Sequence, residues 1–368
     1  MNAATVVAGV LVPGFVLALG WVMPSLTAPD LPFGARVPAA RQGEPVIAEQ
    51  RRSYRRWLGA SGAVVLVGGA VLTALAGGGR GGGAAVALLL PALAALAVIL
   101  VGYVRARRAV LAAKEAGHWY RGLRQGVAAD TSLRSGPPGV TWLWALPALL
   151  LTAGTAAVGA VRYDGMPEQL ATHFDAGGAV DHFTAKTPLS AFAPVIGQLA
   201  VTVLMLLVVW AVSRGRADLD PARPAASAAR HRRYVARLGA ALLVLTASVD
   251  LTMLLAALKI WSGATTLSPV PVLAPLVFGF AVLVLVALRT GQGGARLAVQ
   301  EEPDSGLVHA DDDRHWRLGG MVYLNHEDPA LLVPKRFGIG WTVNYGNPLA
   351  LIVTVLATGL AVVLAVRS

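Results

Sequence analysis

The segment 166–192, MPEQLATHFDAGGAVDHFTAKTPLSAF, concentrates side chains that can do chemistry. His173, Asp175, Asp181 and His182 supply the imidazole nitrogens and carboxylate oxygens that bind divalent metals. Their spacing matches no defined metal motif, and helix caps and turns use the same residue types. We therefore predict that these residues close a turn, with no bound metal and no cofactor.

Asp250 is the only ionisable residue well inside a long apolar run. A carboxylate within a membrane is costly, and it commonly marks a proton or cation path or a buried partner. Lys259 follows nine residues later, which places Asp250 in the outer part of its span, where we expect water to reach it. A functional and a structural role both stay open for this side chain.

A third group of carboxylates and imidazoles lies towards the C-terminus: Asp311, Asp312 and Asp313, with His309, His315 and His326. The group could bind a divalent cation, but solvated acids before a folded segment are commoner, and we favour that interpretation. Lys335 and Arg336 precede the last apolar run. We interpret them as residues that hold a helix end at the lipid headgroups.

Signatures of common hydrolases are missing from the sequence. No Ser lies in a nucleophile elbow, no HExxH motif occurs, and no pair of carboxylates is placed on one membrane helix. The lack of Cys excludes disulfides, thiolate metal sites and cysteine nucleophiles. We therefore expect a protein that is not an enzyme.

The elements that must position these residues are eight long apolar segments. Apart from Asp250, these segments contain no Asp, Glu, Lys or Arg: 1–29, 57–79, 81–104, 135–161, 187–213, 238–258, 260–288 and 337–366. A helix rises about 1.5 Å per residue and the hydrocarbon layer is about 30 Å thick, so each run can cross a bilayer. The mean hydropathy of +0.61 agrees with this. We predict an all-α polytopic integral membrane protein with about eight transmembrane helices and a small irregular or β-containing cytoplasmic module.

The charge of the loops predicts an orientation. One set of alternate loops holds 26 of the 31 Lys and Arg residues, and basic loops are retained in the cytoplasm. Both termini are therefore expected outside the cytoplasm of a protein of the cell membrane. Orientation and anionic lipid headgroups also account for the net charge of +11, so we expect membrane lipid as a partner and no nucleic acid.

The predicted spans divide the chain into five parts: a three-helix membrane region with basic cytoplasmic loops (1–138), a helix-loop-helix unit (139–212) with an extracytoplasmic loop (162–187), a linker with helices six and seven (213–288), a cytoplasmic module (289–346) and the last helix (347–368). Residues 214–230 are rich in Ala, Pro and Arg and are expected to lack fixed structure. Short strands are predicted at 321–325 and 341–345.

Six tryptophans lie near predicted span ends: Trp21, Trp57, Trp142, Trp144, Trp210 and Trp261. An amphipathic ring is favoured there, with its face in the acyl chains and its N–H among the headgroups. We interpret all six as interface anchors.

A pattern of residue types in the outer loop follows a known order: Pro167, His173, Phe174, Gly177, Asp181, Lys186 and Pro188. In this pattern residues 139–212 resemble the loop and flanking spans of SdpI-like immunity proteins. The C-terminal segment is similar to a module of longer bacterial relatives of unknown function through Trp316, Asn325, Asp328, Pro329, Val333, Pro334, Lys335, Arg336, Gly338, Gly340, Trp341 and Asn344. LPFGARVP, residues 31–38, is similar to the first cytoplasmic loop of those eight-span relatives.

The resemblance implies a membrane protein that protects its cell against a secreted, membrane-active toxic peptide, in some cases also signalling its presence to a cytoplasmic regulatory protein. The sensing residues would be Pro167, His173, Phe174, Gly177, Asp181 and Lys186. Four acids in the loop 163–188, against Lys186 and the flanking Arg162, make its surroundings slightly acidic, which would attract a cationic amphipathic peptide.

A small-solute or ion transporter stays open as an alternative. Asp250 and Pro-kinked helices would line its path. Many transporters consist of two related halves, and no inverted repeat is evident in this sequence.

Overall fold

A computed structural model describes residues 3–75, 82–135, 140, 142–174, 178–298 and 301–367. The helices are α1 (Ala3–Leu26), α2 (Pro45–Leu75), α3 (Gly82–Ala116), α4 (Ser132–Ser135), α5 (Leu146–Arg162), α6 (Pro188–Ala191), α7 (Ala193–Arg214), α8 (Pro224–Trp261), α9 (Pro269–Thr290) and α10 (Pro348–Arg367). The strands are β1 (Gln125–Gly126), β2 (Gln169–Phe174), β3 (Val180–Ala185), β4 (Val308–His309), β5 (Trp316–Arg317), β6 (Val322–Tyr323), β7 (Leu332–Pro334) and β8 (Trp341–Val343).

The apolar runs form the predicted helices. Within the described residues, α1, α2, α3, α5, α7, α8 and α9 are long and apolar enough to cross a membrane. The eighth run forms α10, an apolar helix of 20 residues. The predicted fold class, an all-α polytopic membrane protein with a few short strands, is confirmed.

The long helices pack in two groups. Helices α1, α2 and α3 contact one another around a core that includes Leu17, Leu58 and Ile99. In the second group α8 is central, because it packs against α5, α7 and α9. The rings of Phe15 on α1 and Phe280 on α9 lie 5.9 Å apart and join the two groups.

The loops that the structure describes collect at two ends of the bundle, as their alternation predicts. At one end, which we call the hairpin end, residues 178–180 contact the loop 262–268, with a β-bridge between Ala179 and Thr266. At the other, the basic end, Arg36 forms an ion pair with Asp218 and its backbone N–H bonds Asp313. The first loop, the α7–α8 connection and the C-terminal segment therefore meet at the basic end.

The expectation that residues 214–230 lack fixed structure is wrong. In the first half, the N–H of Arg216 donates to the Leu332 carbonyl at 3.0 Å and Asp218 pairs with Arg36, and the second half is helical. Helix α8 begins at Pro224, and this position suits proline because the first N–H groups of a helix have no partner within it. Glu302 accepts hydrogen bonds from the N–H groups of Ala225 and Ala226, which places a carboxylate at the positive end of the helix. The Ala and Arg residues that follow are strong helix formers, so α8 extends well beyond the apolar run.

The C-terminal segment at the basic end contains the predicted strands. Strand β6 lies within 321–325 and pairs with β5, while β8 lies within 341–345 and pairs with β7. Trp316, Tyr323 and Val333 form a small apolar core between these pairs. The segment is therefore a folded β-containing module.

Candidate functional site

The site singled out in the sequence forms an antiparallel β-hairpin, residues 169–185, built from β2 and β3. Leu170 pairs with Thr184, and His173 pairs with His182. The register shifts on both sides of His173, and such bulges increase the local twist and redirect side chains. The hairpin is an ordered element on both sides of the expected turn.

One side of the hairpin is fixed to the helix bundle. Leu170 is buried together with Met166, Ala191 and Trp261, and the Trp261 Nε1–H donates a 2.9 Å hydrogen bond to the Ala191 carbonyl. Trp261 is only 3% exposed, so its prediction as an interface anchor is wrong. The ring is excluded from the headgroups because it packs between Gly159 of α5 and the buried Leu170 of the hairpin.

Backbone hydrogen bonds fix the tip side of the hairpin. The N–H of Leu267 donates to the Gly178 carbonyl at 2.7 Å, and the N–H of Val180 donates to the Thr265 carbonyl at 3.1 Å. Gly178 has φ +83°, and a Cβ at this position would lie 2.0 Å from the Leu267 carbonyl oxygen. Glycine is therefore required for this close approach.

The opposite side of the hairpin faces solvent. His173 Nδ1 lies 2.6 Å from Asp181 Oδ1, and these side chains are 67% and 49% exposed. Phe183, two residues after Asp181 on the same side of β3, is 47% exposed, and His182 is exposed on the other side of the strand. An exposed ion pair contributes at most about 1 kcal/mol to stability, so the His173–Asp181 pair is a surface feature rather than a structural requirement.

The other predicted sensing residues have structural contacts or lie elsewhere. Lys186 is turned inwards, where its Nζ donates to the Met166 carbonyl at 3.1 Å and lies 3.3 Å from Glu168. Pro167 packs beside Gly263, and Phe174 is partly buried at the end of β2. Gly177, like Asp175, lies outside the described residues. Within the described part of the chain, no group of three or more His, Asp or Glu side chains could hold a metal ion.

Asp250 lies in the interior of the bundle, and the expected access of water is wrong. Its side chain is fully buried where α8 meets α5 and α7. Thr202 Oγ1 donates to Asp250 Oδ2 at 2.9 Å, and Gln198 Nε2 donates to the Asp250 backbone carbonyl at 2.8 Å. The separation from Lys259 indicates only how deep Asp250 lies in the membrane. It could not reveal this burial, because the neighbouring helices exclude water from the side chain.

The acidic triplet near the C-terminus is part of a second cluster, which we call the basic-end network. Its members are nine charged residues: Arg36, Arg107, Lys114, Arg336, Asp30, Asp218, Asp311, Asp312 and Asp313. The four cationic side chains are at most 7% exposed. The interpretation of the triplet as solvated acids is therefore wrong, because buried cations compensate these charges.

Arg36 is the central cation of the network. Its guanidinium lies 2.5 Å from Asp30 Oδ2 and 2.6 Å from Asp218 Oδ2, and its backbone N–H bonds Asp313. Lys114 Nζ lies 2.6 Å from Asp313 Oδ2. Arg336 pairs with Asp312, so its prediction as a headgroup anchor is also wrong.

Sequence reasoning missed Arg36, Asp218, Gln198 and Thr202 as site residues. Arg36 lies in the stretch LPFGARVP, which drew attention only as a resemblance. Gln198 and Thr202 are four residues apart in an apolar run and therefore share one helix face, a signal that was available from spacing alone.

The pKa of Asp218 makes the basic-end network sensitive to acid. Burial alone would raise this pKa, but Arg36 and then His309 outweigh burial and lower the pKa from 3.8 to about 2. The ion pair is therefore fully formed above about pH 4 and is lost as the pH falls through about 2.

We expect about 2 kcal/mol of stability from Asp218 to disappear between about pH 4 and pH 2. Thermal unfolding of the purified protein in detergent across this range measures it. Asp218→Asn should flatten that part of the profile, and an unchanged acid dependence in this variant would contradict the assignment.

The fold and these clusters define a multi-pass membrane protein with an ordered hairpin at one end and a folded module at the other. Residues 150–197 match a domain of unknown function, DUF1648, and residues 326–351 match a family of unknown function, DUF5808. The first match spans most of α5, the hairpin and the start of α7. DUF1648 is found in SdpI-like membrane proteins, which agrees with the resemblance of this region. No curated protein and no solved structure matches the chain.

Proposed function

We propose that the protein is a non-enzymatic membrane protein of the immunity or toxin-response type, and that its hairpin senses or neutralises a secreted membrane-active peptide. The observation that carries the proposal is the asymmetry of the hairpin. One side is fixed on Trp261 and the 262–268 loop, and the other presents His173, Asp181 and Phe183 to solvent. A rigid element with a free polar and aromatic face is suited to recognition, because little entropy is lost when it binds.

The charges of this face favour a cationic peptide. Lys186 is folded under the hairpin against Glu168, whereas the Asp181 side chain is 49% exposed. Lys186 therefore offsets the Glu168 carboxylate, and Asp181 is left as the acidic group of the free side. Phe183 adds an exposed aromatic ring that an apolar side chain of an amphipathic peptide can contact.

The orientation belongs to the same proposal. We propose that the basic end lies in the cytoplasm of a cell-membrane protein, with both termini and the hairpin outside, and the excess of Lys and Arg in the loops of that end supports this. The C-terminal module would then be available to a cytoplasmic regulatory protein, and it exposes Leu318 and Leu331. Membrane lipid surrounds the spans.

A challenge with cationic amphipathic peptides tests this function. In a deletion strain, the wild-type gene should restore tolerance, whereas His173→Ala with Asp181→Ala should leave the strain nearly as sensitive as the deletion. Loss of contacts worth about 1.4 kcal/mol weakens binding about tenfold, so a tenfold or greater change in the tolerated peptide concentration is expected.

Glu168→Gln is the matched control, because it removes an exposed carboxylate at the base of the same hairpin. It should change tolerance much less than the double variant. Equal protection by the wild type and the double variant, with equal amounts of protein in the membrane, would contradict a sensing role for the hairpin.

A transporter is the second candidate, and the burial of Asp250 favours it. Pro91 in α3 and Pro275 in α9 interrupt helices that could move during transport. Altered uptake of a solute in the deletion strain, together with normal peptide tolerance, would support this function instead.

A further inference from the structure

A small polar cluster lies in the interior of the bundle, away from the hairpin face. Thr155 on α5, Gln198 and Thr202 on α7, and Asp250 on α8 are each at most 1% exposed. Gln198 Nε2 donates to the Asp250 backbone carbonyl at 2.8 Å and to Thr155 Oγ1 at 3.0 Å. The Gln198 amide therefore joins all three helices.

The hydrogen bonds of the cluster fix the orientation of the Gln198 amide. Only the amide nitrogen can donate to a backbone carbonyl, so Nε2 faces Asp250 and Oε1 points the other way. Within the described residues, Gln198 Oε1 and Asp250 Oδ1 are both buried without a hydrogen-bond partner. Both atoms are acceptors when Asp250 is ionised, and the cluster then lacks a donor for either.

Cationic side chains do not compensate Asp250. The charged residues of the packed helices lie near their ends: Arg162 of α5, Arg214 of α7, Arg289 of α9, and Lys259 with His231 and Arg230, Arg232, Arg233 and Arg237 of α8. Across the described length of these helices, the segments that face Asp250 carry no other ionisable side chain. An ionised Asp250 would therefore be a buried charge without a counterion, which a bilayer interior strongly disfavours.

We propose that Asp250 is an intramembrane proton-binding site, in which the neutral acid carries its proton on Oδ1. Thr202 already occupies Oδ2 as a donor, so Oδ1 is the free oxygen. Hard metal cations take about six oxygen ligands, whereas a proton needs only this one free oxygen.

A proton site at Asp250 would make the packing of α5, α7 and α8 depend on pH, which the proposed function does not require. Loss of the proton would place a charge between α5, α7 and α8, the helices that carry the hairpin. Trp261, which holds the hairpin, follows eleven residues later on α8, about 16 Å along the helix axis. Release of the proton would therefore weaken the packing on which the hairpin rests.

Infrared difference spectroscopy of the full-length protein in lipid nanodiscs tests the site. At neutral pH the wild type should show the carbonyl stretch of a protonated carboxylic acid, and Asp250→Asn should remove it. Thr202→Val should shift the band, because it removes the hydrogen bond to Oδ2. Asp164→Asn, outside the spans, is the control and should leave the band unchanged.

Asn at position 250 is neutral and retains an acceptor oxygen for Thr202 beside its NH2 donor group, so Asp250→Asn should fold with little loss of thermal stability. Identical spectra of the wild type and this variant at neutral pH would overturn the proposal. Disappearance of the band when Na⁺ is added at constant pH would also overturn it, in favour of a sodium site. Peptide tolerance is not part of this readout, so the site and the proposed function can fail separately.

Discussion

Arg36→Ala is expected to lower the free energy of unfolding by about 3–5 kcal/mol, because it removes one partner from a buried set of ion pairs. Asp30 and Asp218 would both lose the guanidinium that lies 2.5–2.6 Å from them. The remaining carboxylates would be left in a partly buried site with His309 as their nearest basic group. The thermal unfolding of purified variants in detergent measures the loss.

Arg41→Ala is the matched control for Arg36→Ala. Arg41 lies in the same loop and pairs with Glu44 at 2.6 Å, but its side chain is 48% exposed. An exposed pair of this kind contributes at most about 1 kcal/mol. Equal losses of stability in the two variants would show that burial of the basic-end network does not matter.

Arg36→Lys separates charge from geometry. The guanidinium bonds Asp30 and Asp218 through different nitrogens, and the compact ammonium of lysine cannot reproduce this fork. We expect Arg36→Lys to recover only part of the stability that Arg36→Ala loses. Full recovery would indicate that a positive charge alone suffices at this position.

The basic-end network also shows where sequence reasoning reaches its limit. The apolar runs predicted the spans because their length and lack of charge are local properties. Arg36 and Asp218 are 182 residues apart, and neither has a local pattern that identifies the other. A buried arginine and a loop arginine that faces the cytoplasm look the same in a count of charges, so the role of Arg36 could not be predicted.

The candidate site was only partly predicted, again because contacts between distant residues leave no local pattern in the sequence. The order of His173, Phe174, Asp181 and Lys186 identified the segment, and His173 does meet Asp181. The inward turn of Lys186 depends on the Met166 carbonyl and Glu168, contacts that exist only after the hairpin has formed. Likewise, the burial of Asp250 depends on Gln198 and Thr202 of a neighbouring helix.

A second large loss of stability is expected at Trp261 but not at Trp210. Both were predicted from the sequence to be interface anchors, and in the structure only Trp261 is buried. Trp210 is 53% exposed on α7, where a ring in contact with lipid is expected. Trp261 is buried among Met166, Leu170 and Ala191 beneath the hairpin. Only the second ring therefore supports tertiary structure.

Trp261→Ala is expected to lower the free energy of unfolding by about 3–5 kcal/mol, the usual loss when a buried Trp is truncated. Trp210→Ala should have a much smaller effect, because its ring leaves no cavity inside the protein. The removal of Trp261 also takes away the support of Leu170, so the hairpin should detach locally before the bundle unfolds. Thermal unfolding measures the first effect, and limited proteolysis within residues 169–185 measures the second.

Trp261→Phe tests the cause of the loss. Phenylalanine fills much of the same space but lacks the N–H that donates to Ala191, so about 1 kcal/mol of the effect should remain. If Trp261→Ala left the hairpin as resistant to protease as the wild type, the 262–268 loop alone would be sufficient to hold it. In that case the exposed face of the hairpin would not depend on α8, and proton release at Asp250 would have no direct route to it through this ring.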